Sequence, residues 1–211
     1  MLASINMRNG TLLNSKSMLA YGLAGIALIE LSRMEKITFD GKRVSAGTSL
    51  NTGVELLDDV MNVLAKKTSA RKTSSLIYTI SYKVKRFSKR ILEGLEDSGF
   101  IRIEQGRFLG LIPYDRYIIS RVGEYEKLVK ELKDIVLKGD KKADSKEAVF
   151  ISMLYTCSVF RRLLDKEERK QVKDTLKKIG KTEFFETLDD LSIEVIKAVK
   201  AIITAAQAAA A

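Results

Sequence analysis

Five positive charges fall in the eight positions from Lys83 to Arg90: Lys83, Lys85, Arg86, Lys89 and Arg90, within YKVKRFSKR. Amines and guanidiniums grouped in this way bind anions, such as the phosphates of a nucleic acid, a lipid headgroup or a phosphorylated small molecule. Catalytic partners for them are scarce. The chain has no His, which excludes Ser–His and Cys–His nucleophiles and the usual zinc sites. Its one Cys, Cys157, lies in the apolar run FISMLYTCSVF. It reads as core, since a reactive thiolate needs a polar, electropositive setting. A single Cys allows no disulfide within the chain, which suits a reducing compartment. No Walker loop, GxGxxG or GxSxG occurs. The paired carboxylates Asp58-Asp59 and Asp189-Asp190 would suit an enzyme acting on a phosphorylated ligand, but helix termini or solvated faces account for both. The residues point to a binding protein, not an enzyme, and imply neither cofactor nor metal.

The elements that carry these residues must hold a cationic surface on a stable core. The chain has 211 residues, 45% of them hydrophobic, and its only Pro is Pro113, with no Pro/Gly/Ser-rich linker. One domain over residues 1–211 is expected. Lys and Arg number 37 against 27 Asp and Glu, a net charge of +10, which favours polyanionic partners. The longest apolar stretch, MLAYGLAGIALIEL at 18–31, is shorter than the ~20 residues of a membrane span and contains Glu30. It reads as a buried helix, capped by Ser15 or Ser17 and running to about Leu31.

Asn9-Gly10 marks a hairpin or loop in the first 14 residues, and KITFDGKRVSA a hairpin turning at Asp40-Gly41. Residues 53–67 form an amphipathic helix with Val54, Leu57, Val60, Met61 and Leu64 on one face. A polar, basic loop follows, then a helix over 74–97. FIRIEQGRFLGLIPYD reads as a hairpin turning near Gln105-Gly106. Helices are expected over 116–137 with Ile118 in its stripe, over Ser145–Leu164, over Asp165–Ile179, and from near Leu188; the turn Lys138-Gly139-Asp140 ends the first of these. The fold class is mainly α, a helical bundle with small β-hairpins.

At roughly 100° per residue, Val84, Phe87, Ile91 and Leu95 cluster on one side of a helix over 83–96. Arg86 and Lys89 fall opposite, with Lys85 on one edge and Lys83 and Arg90 on the other. Like charges at i, i+4 cost about a few tenths of a kcal/mol, which an anionic partner reverses. Just beyond, in RFLGLI, Phe108, Leu109, Leu111 and Ile112 put much apolar surface at a turn, an interaction patch if exposed. A basic helix followed by a hairpin also fits the recognition helix and wing of a winged-helix nucleic-acid-binding protein, with the helix at 53–67 as its partner. That domain does not need the further ~100 residues, and its wing is usually polar.

These segments, in order, resemble the Golgi phosphoprotein 3 family from about residue 12 to the C-terminus. GLAGIALIELSRMEKITFDG is similar to its first core helix and following turn, and NTGVELLDDVMNVL to its Thr-Gly, Leu-Leu-Asp helix. YKVKRFSKRILEGLEDSGFIRIEQGRFLGLIP is similar to its basic helix, glycine and hydrophobic hairpin. KEAVFISMLYTCSVFRRLLDKEERKQVKDTL resembles its late helix pair, and SIEVIKAVKAIITAAQA its alanine-rich last helix. The resemblance implies a mostly helical protein that docks peripherally on the cytoplasmic face of a membrane, that of the Golgi in a eukaryote. Such members bind phosphatidylinositol 4-phosphate and help retain glycosyltransferases, so anionic lipid and membrane-protein tails are the implied partners. Their headgroup pocket uses a Trp before the first core helix, an Arg within it and two Arg on the basic helix, beside a hairpin that enters the bilayer. The Trp position falls at or near Ser15, and the first Arg at Ala24. The other two fall at Lys85, which keeps the charge without the bidentate fork of Arg, and at Ser88. The hairpin tip falls at Phe108, Leu109, Gly110 and Leu111. The membrane face is thus expected to be kept and the pocket altered, with Lys83, Arg86, Lys89 and Arg90 reading anionic lipid more diffusely. The family's eukaryotic N-terminal tail, which engages coat proteins, has no counterpart before a helix expected within about 15 residues of Met1. A short, prokaryotic or reduced member is expected.

Overall fold

Helix α1 (Lys16–Arg33) is apolar on nearly every side because it is buried on nearly every side: Leu28 and Leu31 are fully enclosed and Ile29 almost so. Ser15 caps it, its hydroxyl accepting from the Met18 amide. The computed structural model describes residues 1–66, 69–108, 111–139, 142–179, 181 and 184–209, and the backbone alone of Phe108. Around α1 pack α3 (Thr73–Lys83), α6 (Ser145–Thr156) and α10 (Asp190–Ala208). Two glycines on α1 permit the approach. A Cβ at Gly22 would lie 2.5 Å from Cys157 Sγ, and one at Gly25 would lie 2.9 Å from Val195 Cγ1 of α10. Each buried Leu or Ile contributes about 1.5–3 kcal/mol, so this helix is the centre of the core.

Two small sheets attach to the bundle. Strands β1 (Ile37–Phe39), β2 (Arg43–Ala46) and β3 (Arg71–Lys72) form an antiparallel sheet in that order. Its first turn is at Asp40-Gly41, as the sequence suggested. Gly41 takes φ +93°, and the Asp40 carboxylate accepts from the amides of Arg43 and Lys42, which lowers its pKa. Helix α2 (Glu55–Ala65) follows β2. The second sheet pairs β4 (Ile101–Phe108) with β5 (Ile112–Ile119), antiparallel over their full length.

The C-terminal half is built of α5 (Val122–Lys138), α6, the short α7 (Phe160–Leu163), α8 (Lys166–Gln171), α9 (Lys173–Ile179) and α10. Capping is local: Asp144 and Asp165 form capping boxes with Glu147 and Glu168, and Asp189 accepts from the Ser192 amide. Gly139 ends α5 at φ +66°. Asp140, placed in the same turn by the sequence, lies outside the described residues.

Five elements differ from the sequence reading. The helix expected over 74–97 is two helices, α3 and α4 (Phe87–Asp97), broken at Val84–Arg86, where Arg86 adopts φ +57°. The break lets α3 follow α1 and α10 while α4 turns to meet α1 and β4. The hairpin does not turn at Gln105-Gly106. Gln105 pairs with Asp115 and Gly106 with Tyr114 inside the ladder, and the chain reverses between Phe108 and Ile112. Gly106 sits mid-strand because the Tyr114 ring covers it, 2.7 Å from where a Cβ would stand. Residues 116–119 belong to β5, so Ile118 pairs with Arg102 and is not part of the α5 stripe. The helices expected over Ser145–Leu164 and Asp165–Ile179 are each interrupted, the first where Ser158 takes φ +56° and the second at Val172.

Candidate functional site

The break between α3 and α4 opens a cleft of about 480 Å³. Its walls are the first turn of α1 (Lys16, Ser17), the end of α3 (Tyr82), the connecting Lys85 and Arg86, and the first turn of α4 (Ser88, Lys89). Two helices of 18 and 11 residues therefore present their N-terminal ends to it. Free amides and the positive end of the macrodipole favour an anion there. Neither first turn contains an acidic residue. No side chain among the described residues caps α4, so its leading amides are left to water or a ligand.

The five cations of the run do not act alike. Lys83 and Lys85 are exposed and make no ion pair among the described residues. Arg86 binds Glu93, and Lys89 lies 3.7 Å from the same carboxylate. Arg90 turns away from the cleft to Asp59 and Glu55 of α2, the latter at 3.0 Å. The hydrogen bond to Asp59 raises the guanidinium pKa further. The lone acidic residues beyond the run, invisible to a count over 83–90, divide a uniform basic face into a free part and a structural part. Of the other positions named by resemblance, Ser15 is the α1 cap, Ser88 lines the cleft and Ala24 is wholly buried. Asp58 holds Thr52 through both its amide and hydroxyl, and so is structural.

Beside the cleft stands the hairpin. Lys16 joins them, its ammonium 3.6 Å from Asp115 of β5. Burial raises the Asp115 pKa, but bonds from Gln105 and Tyr117 and the Lys16 charge outweigh it and leave the value lowered. Asp115 in turn, after burial, pushes the Tyr117 hydroxyl up to about 12. The base of the hairpin is fixed by a second apolar cluster of Ile5, Leu92, Ile101, Tyr117, Ile119 and Tyr125. The Tyr117 amide donates to Gly10 O at 2.8 Å, and Tyr125 Oη to Ile5 O at 3.0 Å. The far end carries exposed apolar groups: Leu111 is 84% and Ile112 61% exposed. Leu109 and the Phe108 side chain lie outside the described residues. At ~3.4 Å per residue, Ile112 is about 10 Å along β5 from Asp115.

The cleft also contains Lys16, Tyr21 and Tyr82, which the sequence reading did not select. One signal was available for Lys16: a cation at the first position of a helix opposes the macrodipole, where an acidic residue is favoured. A separate groove of about 300 Å³ between α1, α5 and α6 has an apolar floor, and its Arg33 is already bound to Glu30.

A mainly α-helical protein in which a cationic cleft adjoins an exposed apolar hairpin is thereby defined. The chain belongs to the Golgi phosphoprotein 3 (GPP34) family, whose model matches residues 1–204. A search of curated proteins returned no match.

Proposed function

We propose that the protein is a peripheral membrane protein that binds anionic lipid, phosphoinositides among them, through this cleft, with the hairpin tip entering the bilayer. The observation that carries the reading is the convergence of two helix N-termini and Lys85, unpaired among the described residues, on one open cleft next to exposed Leu111 and Ile112. Family membership and its resemblance-based headgroup pocket support the same place. No helix among the described residues is long and apolar enough to cross a membrane, so attachment from one face is the mode proposed. The role is binding without catalysis, and membrane-protein tails are a second proposed class of partner. Nothing in the arrangement favours nucleic acid. Arg86, Lys89, Arg90 and the hairpin residue Arg102 are engaged by Glu93, Asp59, Glu55 and Glu104, and the described tip residues are apolar.

Flotation with three kinds of vesicle tests the reading: neutral, phosphatidylserine-containing, and phosphatidylinositol 4-phosphate-containing at charge matched to the second. Both anionic vesicles should carry the protein and neutral ones little of it. With Lys85 and Ser88 where two Arg stand in the family pocket, preference for the phosphoinositide over matched phosphatidylserine should stay within about tenfold. Equal recovery from all three would refute a charge-reading cleft.

A further inference from the structure

A tyrosine ladder runs along the cleft's edge. Tyr78 and Tyr82, one turn apart on α3, stack with centroids 6.3 Å apart and rings 5° from parallel. Tyr21 of α1 continues the stack, 6.4 Å from Tyr78 at 23°. Tyr82 is 79% and Tyr78 55% exposed. None of the three hydroxyls has a hydrogen-bond partner among the described residues. The opposite face of α3 already buries Leu76, Ile77 and Ile80 completely, so the helix does not need the ladder for its own packing. A single exposed tyrosine calls for no explanation. A stacked group of three, continuous with a cationic cleft, is a contiguous aromatic patch.

We infer that this ladder is an interfacial anchor, lying at headgroup depth in an anionic bilayer. The inference rests on the membrane reading above and adds a third contact to the cleft and the hairpin. The occupant follows from the chemistry around the rings. Tyrosine has an apolar body and a polar tip, the combination that settles at a membrane–water boundary. Lys83 and Lys85, both without a carboxylate partner among the described residues, follow Tyr82 closely in sequence and complement lipid phosphates. Tyr82, Tyr21 and Lys16 wall the same cleft, and Lys16 bridges to the hairpin arm. Two attachment points leave the molecule free to roll about the line between them. Tyr78, stacked on Tyr82 but outside the cleft lining, widens the contact along α3 and so restrains that rolling.

The chain contains no Trp, so a single introduced Trp is a clean reporter. Tyr82→Trp and Leu111→Trp are compared in the full chain with phosphatidylserine vesicles, using emission maximum and quenching by lipids brominated at graded depth. Both should shift to the blue on binding, Tyr82→Trp being quenched by the shallower bromines and Leu111→Trp by the deeper. An unshifted Tyr82→Trp that iodide still quenches, with Leu111→Trp shifted, overturns the ladder and leaves the membrane reading standing. No shift in either, with no flotation of the parent protein, overturns the reading itself. Tyr78→Ser with Tyr82→Ser should weaken vesicle binding about tenfold while preserving its salt dependence; parental affinity with an unaltered melting curve would assign the ladder to a protein partner instead.

Discussion

Gly22 and Cys157 are one contact seen from two helices. The thiol stands where a side chain on α1 would go, and it donates to Met18 O at 3.5 Å. Burial pushes its pKa up to about 12, so at neutral pH it is a protonated, enclosed group. A maleimide should leave the native protein unmodified for hours and label one thiol per chain in denaturant; rapid labelling of the native state would contradict the packing. Gly22→Ala forces a methyl to 2.5 Å from that sulfur. Overpacking of this kind costs about 1–3 kcal/mol, which denaturant titration would register as a lowered midpoint. Relief by the second change Cys157→Ala would identify the clash as the cause.

Ion pairs that the charge run alone does not reveal tie the hairpin and helix α4 to neighbouring elements, in addition to their apolar packing. Arg90 ties α4 to α2, and Arg90→Gln should cost about 0.5–1 kcal/mol of stability, the scale of a partly exposed pair, with vesicle affinity within about twofold of the parent. A tenfold loss of affinity would return Arg90 to the lipid-binding group. Asp115 ties β5 to α1. Its folded pKa lies below the ordinary 3.8, so its stabilising contribution is complete above that value and lost as pH falls through the folded one. Stability of Asp115→Asn should therefore converge on the parent's toward pH 2, and the two should separate as pH rises toward about 4 and keep a constant gap above it; profiles parallel throughout the acid range would show that the carboxylate is not in use. What was legible beforehand follows the range of the signals. The cap at Ser15, the Asp40-Gly41 turn and the amphipathic α2 are set by residues within a few positions of one another. The break at Arg86 and the bend at Ser158 place non-glycine residues at positive φ, with no Gly or Pro to announce them. Residues 116–119 are apolar enough to begin a helix, and only the partner strand 101–104 makes them β. The cleft joins α1 to the α3–α4 link across some sixty residues of chain, so Lys85 was visible as a charge but Lys16 and Tyr82 not as its neighbours.

For the molecule as a whole, the balance between charge and insertion decides how it would bind a membrane. Among the described residues the five cations of the run share three carboxylates, Glu93, Asp59 and Glu55, which leaves two uncompensated, Lys83 and Lys85. At about 1 kcal/mol for each near an anionic surface, the run supplies ~2 kcal/mol, not the ~5 a count of charges suggests. Leu111 and Ile112 at the tip are each worth about 1.5–3 kcal/mol on full burial in acyl chain. Insertion should then contribute more than charge, with charge setting the approach and the choice of membrane. The net charge of +10 steers at long range but is screened beyond ~10 Å in ordinary salt. Lys83→Glu with Lys85→Glu should reduce partitioning onto phosphatidylserine vesicles by roughly 30-fold or more and flatten its dependence on salt. Leu111→Ser with Ile112→Ser should reduce it by roughly 100-fold and leave the salt slope as it was. The two pairs of changes are distinguished by slope as well as size, so titrating vesicles at several salt concentrations separates them. If about 0.5 M salt alone released the protein completely, the electrostatic attraction would exceed what two free lysines can supply. The carboxylates now bound to Arg86, Lys89 and Arg90 would then have to open on the membrane, and Glu93→Gln should strengthen binding.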